Sequence, residues 1–302
     1  MDKAKSVIER LKNKSKRTGK SVQLYLQLLC QEEFLRKVSQ SEFKNQHVLK
    51  GGLFIYTLTN FEGRATIDMD FLLQHIDNSE QNIRRIVHEV LDIQTGNSFI
   101  SFEVVGYERI ALERKYSGIS VHMIGKIGNT KTPIYVDFGV GDVIVPDSEL
   151  RTIQSQLEDF DVVEINTYSL ESTIAEKFDA IIQRYELTSR MKDFYDIYYL
   201  AGMFEFDGPQ LYKAISETFK NRGTVYESDS FYRIMNLVNN EMVQNRWKSF
   251  LKKHKLEHIE FDEVLNVLQI FLQEITDNLI NKKSIDCKWN PKQLKWNEIA
   301  ML

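Results

Sequence analysis

The spacing of apolar positions divides the chain into segments with helical and strand periodicity. Residues 21–40 carry apolar side chains at helical spacing among Gln, Glu, Arg and Lys, which predicts an amphipathic helix packed on a core. Residues 81–94 have the same spacing and predict a second helix. Between them, Val48–Gly52 leads into the apolar run Leu53–Leu58, and the glycine pair indicates a turn where a helix begins.

Strand periodicity places acidic residues opposite apolar ones. In Thr66–Leu73 every second residue is apolar from Ile67 onward, so Asp68 and Asp70 lie together on the other face of a predicted strand. Three later runs also read as strands, at residues 99–105, 119–124 and 133–138. In the last of them Asp137 again lies opposite an apolar face. We therefore expect three carboxylates to converge on one side of a helix-flanked sheet.

The second half of the chain is predicted to be mostly helical. From Ser169 onward strand signals fade, and a long amphipathic stripe follows, formed by Ile174, Phe178, Ile181, Ile182 and Tyr185. The pattern predicts an α+β fold: a mixed sheet flanked by helices with an N-terminal helix over residues 1–160, then a mostly helical domain over residues 161–302.

Composition narrows the class of protein. The 302 residues include only two cysteines, far apart in sequence, which excludes a cysteine zinc site and a disulfide framework. No signal-peptide pattern opens the chain and no run of eighteen apolar residues occurs, so a soluble cytoplasmic protein without a membrane segment is expected. The first twenty residues are rich in lysine and arginine. These side chains either form a solvated face of a helix or contact phosphate groups.

The acidic strand suggests a specific chemistry. Phosphoryl and nucleotidyl transfer need charge neutralisation and in-line positioning, which divalent ions held by neighbouring carboxylates supply. Asp68, Asp70 and Asp137 fit the role of ligands for Mg²⁺, with Mn²⁺ as the alternative ion. Solvent-facing acids on a half-exposed strand explain the same pattern without function. The sequence has no H-E-x-x-H zinc motif, no G-x-x-x-x-G-K-[ST] loop and no G-x-S-x-G elbow.

The order of several motifs along the chain carries a family resemblance. A Gly-Gly turn is followed by Arg64-x-Thr66-x-Asp68-x-Asp70, by Asp137 on a strand, by Ala175-Glu176-Lys177 and by Lys192-Asp193-Phe194-Tyr195-Asp196. In kind and order this set resembles the AbiEii family of nucleotidyltransferase-like toxins, found in toxin–antitoxin and abortive-infection systems and related to the mycobacterial MenT toxins. The resemblance covers most of the chain.

The resemblance implies a polymerase-β-like nucleotidyltransferase fold and assigns roles to residues. It implies that Asp68 and Asp70 bind metal and that Lys177 contacts the triphosphate of an NTP substrate, while Asp193 or Asp196 completes the site. Without the resemblance, the stretch from Lys192 to Asp196 reads as a surface helix with an i,i+4 ion pair. The nucleotide-binding residues expected on the same grounds are Lys50, Gly51, Gly52, Arg64, Thr66 and Lys177.

The nucleotide loop departs from the wider superfamily. Polymerase-β-like enzymes usually carry Gly-Ser there, whereas this chain has Gly51-Gly52-Leu53 without a hydroxyl at the next position. Thr66 is one source of a hydroxyl, and backbone N–H groups of the turn are another way to bind phosphate. Arg64 is a candidate to neutralise phosphate. Alternatively, it is only a charged residue at the edge of a strand.

These observations lead to a ranked set of functions. The first is a metal-dependent transferase that adds NMP from NTP to an RNA acceptor, at the 3′ end of tRNA, and so blocks translation. The acceptor rests on resemblance alone, and the same chemistry on a protein or small molecule is an alternative. The alternative that is not an enzyme is a module that binds nucleotide and antitoxin without turnover. The resemblance also implies a cognate antitoxin as partner.

Overall fold

In a computed structural model of the chain, the described residues are 2–59, 61, 63–110, 117–185 and 190–298. The chain divides into two compact units. Unit one comprises Met1–Asp142 and Ser148–Tyr168, and unit two comprises Val143–Asp147 and Ser169–Leu302. The domain division at residue 160 that the sequence suggests stays a prediction.

Unit one is built from helices around one mixed sheet. Its helices are α1 (Lys3–Thr18), α2 (Val22–Gln40), α3 (Gly51–Leu58) and α4 (Glu80–Asp92). Its strands are β1 (His47–Lys50), β2 (Asp68–Leu73), β3 (Ile100–Ile110), β4 (Gly118–Ile127), β5 (Thr130–Gly139), β6 (Glu149–Ile153) and β7 (Val163–Thr167). The predicted α+β class, with a mixed sheet flanked by helices, is confirmed.

The order of strands in this sheet is β3-β4-β5-β2-β1-β7-β6. The pairs β2/β5 and β1/β7 are parallel, and the others are antiparallel. Because β2 lies between β5 and β1, its residues have neighbours on both sides. The strand that carries the D-x-D pair is therefore central in the sheet.

Helix α2 covers the apolar face of the sheet. Ser21 caps its first turn by accepting a hydrogen bond from the backbone N–H of Leu24. Phe34 of α2 packs against Phe71 of β2 and Phe102 of β3, with ring centroids 6.3 and 6.2 Å apart. Since Phe71 points to this side, the neighbouring Asp70 points to the opposite face.

Unit two contains several helices and a small sheet. Its helices are α5 (Leu170–Arg184), α6 (Met191–Met203), α7 (Gly208–Arg222), α8 (Ser230–Met235), α9 (Glu241–His254) and α10 (Phe261–Asn281). The strands β8 (Phe206–Asp207), β9 (Cys287–Asn290) and β10 (Lys295–Glu298) form an antiparallel sheet in the order β10-β9-β8. Trp247 and Trp289 are among the largest fully buried side chains in this unit. The sequence predicts the helices here but not the small sheet.

Most predicted elements of unit one are confirmed. The helices expected over residues 21–40 and 81–94 are α2 and α4, and the helix expected after the glycine pair is α3. The strands expected around Asp68 and Asp137 are β2 and β5. The sequence pattern does not predict β6 and β7, because each is only five residues long.

Candidate active site

The acidic face of β2 follows from its two-residue period. Met69 and Phe71 are fully buried on one side of the sheet, whereas Asp68 and Asp70 are half-buried on the other. A carboxylate on the apolar side would lose its hydration without compensation, so the register of this strand is strongly fixed. The two aspartates consequently occupy the same face in the order that the sequence predicts.

Asp137 lies beside Asp70. The parallel register of β2 and β5 pairs these two residues, so their side chains share one face of the sheet. Burial raises the pKa of Asp137 above its usual range, and the negative charges of Asp70 and Asp68 raise it further. A hydrogen bond with Ser120, its partner on β4, acts in the opposite direction. The three predicted carboxylates therefore interact electrostatically.

These carboxylates are the donor set that a divalent ion prefers, and a cation near them would relieve their mutual repulsion. In the part of the chain that the structure describes, no group of three or more His, Cys, Asp or Glu side chains is arranged so that it could hold a metal ion. The chemistry of the donor set fits a divalent ion, and the assignment of all three aspartates as its ligands stays a prediction.

The glycine turn at the start of α3 closes on Asp70. Gly51 has φ +68°, and a β-carbon at this residue would lie 2.1 Å from a carboxylate oxygen of Asp70. Any side chain at residue 51 would therefore clash with Asp70 and would also strain the backbone. The first residue of α3 and the D-x-D strand thus meet at one point.

Gly52 lies against two residues that precede the D-x-D pair, Arg64 and Thr66. A β-carbon at Gly52 would lie 3.0 Å from Oγ1 of Thr66 and 3.2 Å from a terminal nitrogen of Arg64. Both of those side chains are buried. The hydroxyl that the glycine turn lacks in its own sequence is therefore present beside it, in the side chain of Thr66.

Lys50 flanks the same strand from the other side. It pairs with Asp70 in the antiparallel register of β1 and β2. Its Nζ lies 2.7 Å from a carboxylate oxygen of Asp142 and donates to the Tyr168 hydroxyl at 3.5 Å. The ammonium also sits 5.1 Å from the centroid of the Tyr168 ring. These contacts hold the lysine at the N-terminal end of α3.

A second group of predicted residues lies in unit two. Lys177 of α5 donates to Asp196 at 2.6 Å and to Asp193 at 3.1 Å, both on α6. Asp193 and Asp196 are one helical turn apart and fully buried, so they face Lys177 together. Arg190 donates to the second oxygen of Asp193 at 2.5 Å. Burial acts to raise the pKa of Asp193, but the charges of Lys177 and Arg190 outweigh it and lower that pKa.

The predicted site residues thus form two groups, one within each unit. Unit one brings together Lys50, Gly51, Gly52, Arg64, Thr66, Asp68, Asp70 and Asp137. Unit two brings together Lys177, Asp193 and Asp196. The surface-helix reading of the stretch from Lys192 to Asp196 is wrong for its two aspartates, because both are buried in contact with Lys177.

Comparison with known families decides the identity. A sequence model described as the nucleotidyl transferase AbiEii toxin of a type IV toxin–antitoxin system matches residues 33–267 of this chain. The chain belongs to the AbiEii family. It is therefore a nucleotidyltransferase-family toxin, as the order of motifs predicts. A comparison with curated protein sequences gives no significant match.

The solved structure of MenT4 supports the fold of this AbiEii protein. MenT4, a nucleotidyltransferase toxin from Mycobacterium tuberculosis H37Rv, is 17% identical, and the match covers 92% of this chain and 99% of MenT4 with a TM-score of 0.56. JHP933 from Helicobacter pylori is 13% identical, with 84% and 91% of the two chains covered and a TM-score of 0.46. Among the described helices of the AbiEii chain, none is both long and apolar enough to cross a membrane.

The structure adds residues that the sequence analysis missed. In the AbiEii chain Ser120 and His122 follow the two-residue period of β4 and lie in register with Asp137 and Tyr135, so strand alternation is the signal that would have found them. Asp142 binds Lys50 from a loop after β5, for which no local sequence pattern exists. Arg190 could have been found from its spacing of three residues to Asp193.

Proposed function

We propose that this AbiEii toxin transfers NMP from NTP to an RNA acceptor, at the 3′ end of tRNA, and so blocks translation in the cytoplasm. In this reaction the 3′-hydroxyl oxygen of the RNA forms a bond to the α-phosphorus, the bond from that phosphorus to pyrophosphate breaks, and the hydroxyl proton is lost. The observation that carries the proposal is the meeting of three residues: Asp70 is paired with Asp137 on the neighbouring strand, and Gly51 packs against Asp70.

The acidic face provides the ligands for a divalent ion. Asp68 and Asp70 would hold Mg²⁺, or Mn²⁺, with Asp137 as the third carboxylate from the neighbouring strand. When bound, such an ion neutralises phosphate charge and aligns the attacking and leaving oxygens. Burial is the main cause of the raised pKa of Asp137, and the negative charges of Asp70 and Asp68 raise it further; a cation bound beside these carboxylates would offset that repulsion.

The start of α3 provides a site for the phosphates of NTP. A helix N-terminus presents backbone N–H groups to an anion, and without side chains at Gly51 and Gly52 a phosphate can approach the backbone closely. Thr66 and Arg64 lie against Gly52 and would add a hydroxyl and a positive charge. Lys50, held by Asp142 at the end of β1, would supply a further charge.

Lys177 is the proposed contact for the triphosphate of the bound NTP. Its two ion pairs fix the ammonium in one place, and the second carboxylate oxygen of Asp193 is bound by Arg190. We assign Asp193 and Asp196 the role of orienting Lys177. Membership of a type IV toxin–antitoxin family supports a cognate antitoxin as the natural counterpart of this activity.

The test is a transfer assay with purified protein, MgCl₂, each α-³²P-labelled NTP in turn and total tRNA. Incorporation of label into RNA with one or more NTPs is the expected result. Periodate-oxidised tRNA, in which the 3′-terminal diol is destroyed, serves as the matched control and should remain unlabelled. The Asp68→Ala/Asp70→Ala protein should also leave RNA unlabelled.

Each other outcome identifies a different function. Label on the oxidised tRNA would contradict transfer to the 3′ end. Label on protein or on a small molecule, with none on RNA, would overturn the acceptor and retain the transferase chemistry. Metal-dependent binding of NTP with no labelled product at all would favour a nucleotide-binding, antitoxin-binding module without turnover.

A further inference from the structure

A cavity in unit two lies between the start of α6 and one side of α9. Its volume is about 730 Å³, within the range of about 300–1,000 Å³ that ligand pockets occupy. Arg190, the residue directly before α6, and Lys192 of α6 line one side of it. Arg246, Phe250 and Lys253 line it from α9. None of these five residues belongs to the acidic face of unit one.

The lining of this cavity, which we call the α6–α9 pocket, is strongly cationic. Arg190, Lys192, Arg246 and Lys253 all carry a positive charge at neutral pH, and Glu241 is the one acidic residue among the described residues that line the pocket. The chain as a whole has a formal net charge of −4, so this concentration of positive charge is local. A concave cationic surface on an acidic protein attracts anions to that position.

The arrangement of charge suits a chain of phosphates better than a single nucleotide. Arg246 and Lys253 are seven residues apart on α9, which separates them by about 10 Å along the helix axis. Lys192, near the start of α6, adds a further positive charge to the lining. An extended polyanion can contact all of these charges, as single-stranded nucleic acid does in positively charged grooves.

The pocket also contains an aromatic surface. The ring of Phe250 lines it and is half-buried, and the ring of His254 lies tilted against it at a centroid distance of 4.8 Å. Tyr195 and Trp247 pack against the same phenylalanine at 5.7 and 5.5 Å and fix its ring in place. A rigid ring among cations is the combination on which unpaired bases stack while the backbone is neutralised.

One residue connects this pocket to Lys177. Arg190 lines the pocket, and its Nε donates to Asp193 at 2.5 Å. The other oxygen of Asp193 accepts from Lys177 at 3.1 Å. A ligand in the α6–α9 pocket would therefore lie beside the ion-pair group of Lys177 and Asp193 within the same unit.

We infer that the α6–α9 pocket binds the single-stranded end of the RNA acceptor, with its phosphates on Arg246, Lys253 and Lys192 and a base against Phe250. The inference rests on the proposed function for the identity of the acceptor. The pocket itself is a binding site, and its occupation can be measured without turnover.

The test measures RNA binding in a protein that lacks the catalytic aspartates. The probe is a fluorescein-labelled RNA oligonucleotide that ends in CCA, and its anisotropy is followed in the Asp68→Ala/Asp70→Ala background over a series of salt concentrations. Arg246→Glu/Lys253→Glu is compared with Lys248→Glu/Lys252→Glu. Lys248 and Lys252 are exposed on the same helix and do not line the pocket, so the control has the same change of net charge.

The pocket variant should bind the oligonucleotide roughly tenfold more weakly than the control variant at low salt, because two phosphate contacts are lost. Its dependence of log K on log salt should also be shallower by about 1.4, since each single-strand phosphate contact contributes about 0.7. Phe250→Ala should weaken binding without changing that slope, because stacking releases no counterions.

Three results would overturn the inference. These are equal binding by the pocket and control variants, no binding of the oligonucleotide by the parent protein, and loss of NTP binding with RNA binding retained, which would make the pocket a nucleotide site. The outcomes are separable from those of the transfer assay. Pocket-dependent RNA binding without labelled product would leave the pocket assigned and reject the proposed reaction, whereas labelled RNA with equal binding would do the reverse.

Discussion

The carboxylate of Asp70 lies so close to the Cα of Gly51 that a β-carbon there would be 2.1 Å from one of its oxygens. This contact joins the turn before α3 to the strand that carries the D-x-D pair. It explains why the turn begins with glycine, and it fixes the position of one proposed metal ligand relative to the proposed phosphate site.

Gly51→Ala should therefore reduce both stability and transfer. The left-handed backbone alone costs about 1 kcal/mol for alanine, and displacement of Asp70 adds to it. Gly19→Ala is the matched control, because Gly19 in the same unit has φ +72° and no atom within 4 Å of its β-carbon position. Chemical denaturation and the transfer assay measure the two effects. Equal stability and equal activity of the two variants would show that the contact with Asp70 has no consequence.

Removal of Lys177 should destabilise unit two. Lys177→Met leaves Asp193 and Asp196 buried without their common cation, and breaking a buried ion pair costs about 3–5 kcal/mol. Adding Asp196→Asn should restore part of this loss, because one buried negative charge is then removed. Lys220→Met is the control: its side chain is 78% exposed, and a surface pair of this kind is worth about 0–1 kcal/mol. Urea denaturation of the three variants tests the order, and a Lys177→Met protein as stable as Lys220→Met would contradict it.

His47 should make folding stability depend on pH. Its ring packs edge-to-face with the rings of Phe71 and Phe138. Nδ1 donates to the carbonyl of Phe43, and burial lowers the pKa of His47 to about 4. The unfolded chain, with a pKa of about 6.5, binds the proton first as the pH falls. The contribution of neutral His47 to the free energy of unfolding is therefore fully present above about pH 6.5 and is lost as the pH falls towards about 4.

The size of this effect can be measured by substitution. Between about pH 7 and pH 5, the neutral His47 should account for a loss of about 2 kcal/mol in the free energy of unfolding. His47→Gln should show a correspondingly smaller loss over that interval than the parent protein. His88→Gln, at an exposed residue of α4, should keep the parent's pH dependence. Identical pH profiles for the parent and His47→Gln would show that this histidine does not titrate with unfolding.

Local periodicity was enough to predict the elements that carry the acidic residues. Because β2 is buried on one face only, its apolar residues recur with a period of two. This local period places Asp68 and Asp70 on one face, independently of contacts with other segments. The pairing of Asp70 with Asp137 was not predictable in the same way. It depends on β5 lying beside β2 in the sheet, although β3 and β4 come between them in sequence.

The features that the sequence pattern does not predict depend on contacts between segments that are distant in sequence. Asp142 reaches Lys50 across 92 residues of sequence. The strand Phe206–Asp207 is only two residues long and exists because β9 pairs with it. Such pairings are set by packing, and two-residue strands have no periodicity of their own. The family resemblance supplied Lys177, Asp193 and Asp196 as a set, and the contact of α5 with α6 gives a physical reason for it.

The most direct test of the central claim is the initial rate of NMP transfer to tRNA by Asp70→Asn at saturating MgCl₂. Asparagine keeps the size of the side chain that packs on Gly51 but removes the negative charge. If Asp70 holds the metal ion, the transfer rate should fall by at least about a hundredfold, while thermal stability should remain close to that of the parent protein. A stable Asp70→Asn protein that transfers nucleotide at the parent rate would contradict the assignment of the D-x-D strand as the metal site.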